Sequence, residues 1–537
     1  MKKRLLTALL SGALILTALA GCGQVAENQS GANDASAGGE SGARDELIFV
    51  NYRDIRDLNP HLYAGEMYAQ SILYDTLVSN TREGYVGCLA EDWTISEDGR
   101  TYTFNIRDGV TFSDGTPCDA NAILANFNAI LENRERHTWL EMMNLLVGVS
   151  APDEDTFVIE MSEPYYPMLT ELACIRPFAM ISPNCMIDGS TMNGVNGYIG
   201  TGPYVLTDFV TDEYAVFERN ENYWGEAPAI QKITVKVIPD NQTRIMALEN
   251  EEIDLIFGKN MLDADAISQY VDSDRFTVSL SDPTSTRHIV LNTTHDILGD
   301  TAVRKALQHA TNRQAISEGI FYGLEPAADT LYSPTVPYCD VDLEPYAYDT
   351  EEAARLLDEA GWVMGSDGGR SKNGQKLELD LLYNSDSVTE KTISEYLQSE
   401  YLKLGISLNI HGEEEQSYRD NMKAGNFDMV FNICWGMPYD PQSSLAAMRA
   451  PVYGDYAAQQ GLEDKAEIDQ AITDILTSTD EAERQELYDF VLTRLHEDAV
   501  YIPLTYETNK ALYTSELKGV HFGTDQYDVD FASMYFE

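Results

Sequence analysis

The chain has 537 residues, 44% of them hydrophobic and 10% aromatic, which excludes a single small core and fits two or three domains. Its 88 Asp and Glu against 36 Lys and Arg give a formal net charge of -52, which argues against nucleic acid or anionic headgroups as partners. Most of this acid reads as solvated surface, so a cluster of arginines in a concave site would stand out.

Lys2, Lys3 and Arg4 precede an apolar run from Leu5 to Ala20, which ends in Leu19-Ala20-Gly21-Cys22. A basic start, a short apolar stretch and small residues before a cysteine form a signal peptide with a lipobox, residues 1–22, with Cys22 as the lipidation site. A transmembrane anchor is the weaker reading, because the run is short for a span. Residues 23–45 are rich in Gly, Ala, Ser, Asn and Asp and read as a flexible tether. No later stretch is long and apolar enough to cross a bilayer, so the remainder is expected outside the cytoplasm, held at the membrane surface.

Thr101 to Phe112 alternates Tyr102, Phe104 and Ile106 as a strand, and Asp119 is placed to cap a helix with Ile123, Phe127 and Leu131 on one face. This region reads as an insertion in a first lobe. Gly197-Tyr198-Ile199-Gly200-Thr201-Gly202 resembles a phosphate loop, but Pro203 and a strand follow it, so a turn is the better reading. Ile233 to Ile238, Asp240 to Glu249 and Ile253 to Phe257 read as strand, helix and strand. Leu377 to Leu382, Val388 to Leu404, stopped by Gly405, and Ile406 to Ile410 repeat the pattern. Each unit predicts parallel pairing and an α/β lobe of its own, with a cleft between them. Glu483 to Glu497 reads as a helix and Val500 to Leu504 as a buried strand, a return that predicts a hinge with more than one crossing strand. The expected boundaries are 46–284 for lobe I, with an inserted subdomain at about 76–198, 285–506 for lobe II, and 507–537 for a return to lobe I.

Beyond Cys22 six cysteines remain, none in a CxxC pair. They are left as thiols, Cys174 and Cys185 being the least improbable bridge. The eight histidines show no i, i+3 or i+4 pair for a metal, and HExxH, GxSxG, Walker and EF-hand patterns are missing. The chain therefore reads as a binding protein, not an enzyme, with no intrinsic cofactor.

Trp93-Thr94-Ile95-Ser96-Glu97-Asp98-Gly99-Arg100, continued by Arg107-Asp108-Gly109-Val110-Thr111-Phe112-Ser113-Asp114-Gly115, resembles family 5 of the extracellular solute-binding proteins, the receptors of ABC importers for dipeptides, oligopeptides and nickel. The nickel and metallophore branch is the better match through Asn133 to Glu141, Arg176-Pro177-Phe178, Thr191-Met192-Asn193-Gly194 and Trp435-Gly436-Met437-Pro438-Tyr439-Asp440-Pro441. The resemblance implies a two-lobed periplasmic-binding-protein-like α/β fold of class II, with an extra subdomain in lobe I. It also implies transmembrane permease subunits with cytoplasmic ATPases as partners, and a monomer. Carried over by position, it places Tyr63, Met67, Arg136, Trp139, Arg176, Trp435 and Tyr439 in the cleft. Guanidinium groups grip carboxylates bidentately at any relevant pH, and flat aromatic walls exclude water around such pairs.

The chain also departs from that branch. Tyr453 stands where the nickel receptors carry a metal-binding histidine, and Gln442 where another histidine would stand. Arg419 replaces a tyrosine, and reads either as a further cleft cation or as a solvated helix residue. A neutral phenol is a poor nickel ligand. The expected ligand is therefore nickel or another divalent ion already bound by a small anionic chelator, a metallophore. A dipeptide or oligopeptide receptor is the alternative, and would need a cleft carboxylate for the peptide amine. An adhesive surface lipoprotein is a third reading and would need no closed pocket.

Overall fold

The computed structural model describes residues 44–81, 84–258, 261–434, 441–524, 527 and 529–537; the signal peptide, Cys22, most of the tether, Trp435 and Tyr439 lie outside the described residues. Ten strands form one mixed sheet in the order Tyr204–Val210, Tyr214–Arg219, Lys232–Val237, Glu46–Asn51, Leu255–Phe257, Tyr501–Thr514, Phe276–Leu291, Met429–Cys434, Glu378–Asn384 and Ser407–Glu413.

The crossover read from Ile233 to Phe257 differs from expectation in one respect. Its helix, Asn241–Glu249, is present and Asp240 caps it, taking the Thr243 N–H at 2.8 Å. Its two strands, however, do not touch. The strand Glu46–Asn51 lies between them and pairs parallel with both, Phe49 opposite Val235 on one side and Leu255 on the other. Leu47, Phe49 and Val50 are almost wholly buried, as suits a strand covered on both faces. The second crossover is direct: Leu379 lies opposite Leu408 in parallel register. Its helix Val388–Lys403 is followed by Gly405 at φ 76°, a left-handed turn that reverses the chain without steric penalty.

Two long strands carry the sheet from one end to the other. Phe276–Leu291 and Tyr501–Thr514 run antiparallel, from Phe276 opposite Thr514 to Val290 opposite Tyr501. At one end Ala511 to Tyr513 pair with Leu255–Phe257, and at the other Thr286 to Leu291 pair with Met429–Cys434. The register shifts between Leu280 and Pro283, between Pro283 and Ser285, and again between Arg287 and His288. A buried ionic group sits at these shifts: Glu507 takes Arg287 and Ser285, while Glu325 takes Thr505 Oγ1 at 2.9 Å and Lys510 Nζ at 3.2 Å. The apolar cores divide accordingly, one around Phe49, Ile233 and Phe257, another around Leu291, Leu381 and Ile502. These are the two lobes.

A four-stranded antiparallel sheet, in the order Ala90–Ile95, Thr101–Ile106, Thr156–Met161 and Leu146–Ser150, forms a separate unit. The helix Ala120–Glu132 covers it, with the Ala122 N–H bonded to the Asp119 carboxylate at 2.9 Å. Phe127 packs on Phe157 and Phe178 at ring separations of 4.8 and 5.8 Å, and truncating such a ring to Ala costs about 3–5 kcal/mol. The unit also touches the second lobe. Tyr166 Oη donates to Glu481 Oε1 at 2.7 Å, and its ring lies 3.4 Å beneath the buried Arg484 guanidinium. Residues 197–200 are irregular and bend at 201–203 before the strand Tyr204–Val210, and a Cβ on Gly200 would lie 1.9 Å from the Leu73 carbonyl oxygen.

The six described cysteines are buried thiols. The Cys174–Cys185 bridge is not formed; Cys174 Sγ rests on the Thr170 carbonyl at 3.6 Å.

Candidate functional site

A cavity of about 1240 Å³ opens beside the crossing strands and is lined from both lobes. On the first-lobe side the chain leaves the strand Glu46–Asn51 and turns at Asn59. The Asn59 carbonyl oxygen Oδ1 takes the His61 N–H at 3.1 Å, and its amide donates to Thr191 O at 2.9 Å. This pinned turn delivers Tyr63 and Met67 to the wall. Arg136 and Trp139 come from the turn Arg134–His137 and the residues after it. That turn is anchored by Arg134 Nε, which donates to Met143 O at 2.6 Å. Arg176, half-buried, donates from Nη2 to Gly65 O at 3.0 Å.

The aromatic residues are coupled. Trp139 Nε1 donates to Tyr63 Oη at 2.7 Å, and His137 Nδ1 lies 2.7 Å from the same oxygen. Burial, with the Arg136 charge adding to it, pushes the His137 imidazole down to about 4, so the ring is neutral. Burial pushes the Tyr63 phenol up to about 12, so it too is neutral. Arg136 is exposed and forms no ion pair among the described residues.

The second-lobe side is built differently. Arg419 and Glu415 lie one turn apart on the helix Glu415–Ala424 and form an ion pair. Asn384 donates to the other Glu415 oxygen, and Glu390 takes the Asn384 backbone N–H at 2.9 Å. Tyr418 Oη donates to Phe431 O at 2.5 Å. Tyr453 stands immediately before the helix Gly454–Gln459, and burial raises its phenol above the usual range. Asp455, buried beside it, takes Asn432 Nδ2 at 2.7 Å, and burial pushes its carboxyl up to about 6.

Seven residues read from the sequence, Tyr63, Met67, Arg136, Trp139, Arg176, Arg419 and Tyr453, thus lie on one cavity. Trp435 and Tyr439 lie outside the described residues; Asn432 and Ile433, just before them, are on the lining. Gln442 is not on the lining: it is buried in the second lobe, where its carbonyl oxygen takes Arg484 Nη2 at 3.4 Å. Asn51, Arg53 and Glu66 line the cavity and were not anticipated. Their signal was positional, since in parallel sheets ligands bind beyond the carboxyl ends of strands, and Asn51 ends the strand Glu46–Asn51. Glu66 is committed to Arg53 at 2.5 Å and to Asn51 at 3.1 Å, while Arg244 donates to backbone carbonyls of Ile238, Pro239 and Met261. Among the described residues no group of three or more His, Cys, Asp or Glu is placed to hold a metal ion.

The sequence profile of the bacterial extracellular solute-binding proteins, family 5, matches residues 84–455. The nickel-binding periplasmic protein of Escherichia coli K12 is 42% identical over 494 residues, which is 91% of this chain and 94% of that one. The crystal structure of NikA from Brucella suis in complex with Fe(III)-EDTA superposes with a TM-score of 0.88 at 42% identity, over 92% of this chain and 100% of that one. NikZ from Campylobacter jejuni in complex with Ni(L-His) superposes at 0.72 with 21% identity, over 92% of this chain and 99% of that one, a likeness of fold.

Proposed function

The chain belongs to the bacterial extracellular solute-binding proteins, family 5, and from that premise we propose that it is the receptor of an ABC importer for a divalent metal, nickel or a neighbour, held by a small anionic chelator. The observation that carries this reading is the meeting of five arginines, Arg53, Arg136, Arg176, Arg244 and Arg419, on one aromatic-walled cavity in a chain of net charge -52. Arginine pairs with carboxylate in a planar, two-point bond that strengthens as water leaves. Arg136 and Arg176 would take the chelator's carboxylates, while Tyr63, Trp139, Trp435, Tyr439 and Tyr453 supply flat walls, with Met67 filling beside them. The chelator satisfies the metal, and the protein reads the chelator. The cargo is carried unchanged, so the protein has no catalytic role.

The two lobes, 46–284 and 285–506 with the return 507–537, would close about the strands Phe276–Leu291 and Tyr501–Thr514, whose partners change at the register shifts. Ligand drives closure to the extent that it binds the closed state better. Lipidation at Cys22 and the tether keep this monomeric trap beside the transmembrane permease subunits, which the cytoplasmic ATPases power.

A peptide receptor is the second reading, favoured by the carboxylates Glu66, Glu390 and Glu415 on the same cavity. It ranks second because each already holds a donor from the protein. Calorimetric titration of the purified protein with Ni2+ alone, Ni2+ with L-histidine, Fe(III)-EDTA and dipeptides separates the readings. Chelates are expected to bind. Tight binding of bare Ni2+ contradicts the proposal, and binding of dipeptides alone installs the second reading.

A further inference from the structure

We propose that His137 is a positioning residue that turns the Tyr63 hydroxyl into an obligatory hydrogen-bond donor toward the cavity. The inference rests on the receptor reading for the identity of what is bound, while its geometry stands apart from that reading.

Tyr63 Oη is approached by two ring nitrogens, each at 2.7 Å. The indole nitrogen of Trp139 can only donate. The His137 Nδ1 can donate or accept, so its partner nitrogen decides. His137 is fully buried, its neutral ring has one proton to place, and Nε2 has no hydrogen-bonding group within reach among the described residues. With the proton on Nε2, a buried N–H is left without a protein acceptor, and Tyr63 must direct its own proton to Nδ1. With the proton on Nδ1, that N–H is bonded to Tyr63, and only a lone pair is orphaned at Nε2. Buried orphan N–H groups are the rarer and costlier of the two.

In the favoured tautomer the Tyr63 oxygen accepts twice, from Trp139 and from His137. Both lone-pair directions are filled and its own hydrogen must point elsewhere. The remaining direction is the cavity, which Tyr63 lines with 36% of its surface exposed. A phenol locked in this sense offers an O–H beside Arg136 and Arg176 and selects a carboxylate oxygen. In the opposite tautomer the same phenol would present a lone pair and repel it. A histidine that touches no ligand thus sets the polarity of one that does.

Histidine labelled with 15N in the full-length, ligand-free protein gives the test. Long-range 1H–15N correlations, assigned by the signals lost in His137→Asn, are expected to show His137 protonated on Nδ1; protonation on Nε2 overturns the inference. Binding of Ni2+ with L-histidine is the second readout. His137→Asn keeps an N–H where Nδ1 stood and should hold affinity within about threefold, whereas His137→Phe should lose about tenfold. In a Tyr63→Phe background the His137→Phe change should add nothing. Equal binding by wild type and His137→Phe overturns the inference, and if His137→Phe does not fold, the tautomer and the Asn variant decide. Should the wild type bind no chelate, the receptor reading falls, and the tautomer still decides this one.

Discussion

The two walls of the cavity both carry arginine, but they hold it differently. On the first-lobe wall Arg53 is paired with Glu66, Arg176 is steered by a backbone carbonyl, and exposed Arg136 forms no ion pair among the described residues. On the second-lobe wall Arg419 is already locked to Glu415, which Asn384 also holds. A cation with an acid partner must give up or share that bond to take a ligand carboxylate, and an exposed i, i+4 pair is itself worth only a few tenths of a kcal/mol. The comparison teaches that proximity to a cavity is not readiness to bind. Arg136 is set for an anion before it arrives, and Arg419, like Arg53 with Glu66, is self-satisfied.

Substitutions should expose that asymmetry. Arg176→Ala is expected to weaken binding of Ni2+ with L-histidine by about a hundredfold, the scale of losing a half-buried charged hydrogen bond. Its Tm should move by only a few degrees, as for about 1 kcal/mol; an equal collapse of folding would make the residue structural. Arg136→Ala, on the exposed part of the same wall, should cost about tenfold in calorimetric affinity. Arg419→Ala should stay within about threefold, while Glu415→Gln, which releases Arg419, should tighten binding by about threefold. A larger loss at Arg419 than at Arg136 would reverse the assignment of the two residues.

The smallest effect is in pH. Burial pushes His61, under the first wall, down to about 3, and His288, behind the second, down to about 4. Their folded values lie below the unfolded value near 6.5. Unfolding therefore takes up protons below that pH, and the stability is complete above about 6.5 and lost as pH falls toward 4. Asp455 runs the other way, its carboxyl raised to about 6, so its contribution is lost as pH rises from about 4 to 6. Between pH 4 and 6, Asp455→Asn should make the slope of calorimetric Tm against pH more positive by about one proton's worth relative to the wild type. An unchanged slope would mean that Asp455 is ionised in the fold.

Local signals were legible in the sequence where their cause is local. Asp119 caps its helix, Gly405 stops another, and the second crossover pairs as read. The insertion of Glu46–Asn51 between two later strands was not legible, because it is a pairing between distant segments that neither periodicity nor turn chemistry reports. Arg136, Arg176, Arg419 and Tyr63 were reached through family resemblance, and they converge in space although they come from four stretches of chain. The sequence allows Arg419 either cleft or solvent, and it has both: it is on the lining, exposed, and paired. His137 gave no signal, since a single buried histidine has no pattern, and its partner Tyr63 is distant in sequence.

The central claim is that the protein reads the chelator and not the metal. It is tested most directly by titrating the protein with one polycarboxylate chelator loaded in turn with Ni2+, Co2+ and Zn2+, and with Ni2+ held by chelators of decreasing carboxylate number. The account predicts similar affinity across the metals and a steep fall as carboxylates are removed. Affinity that follows the metal and ignores the carboxylates would contradict it.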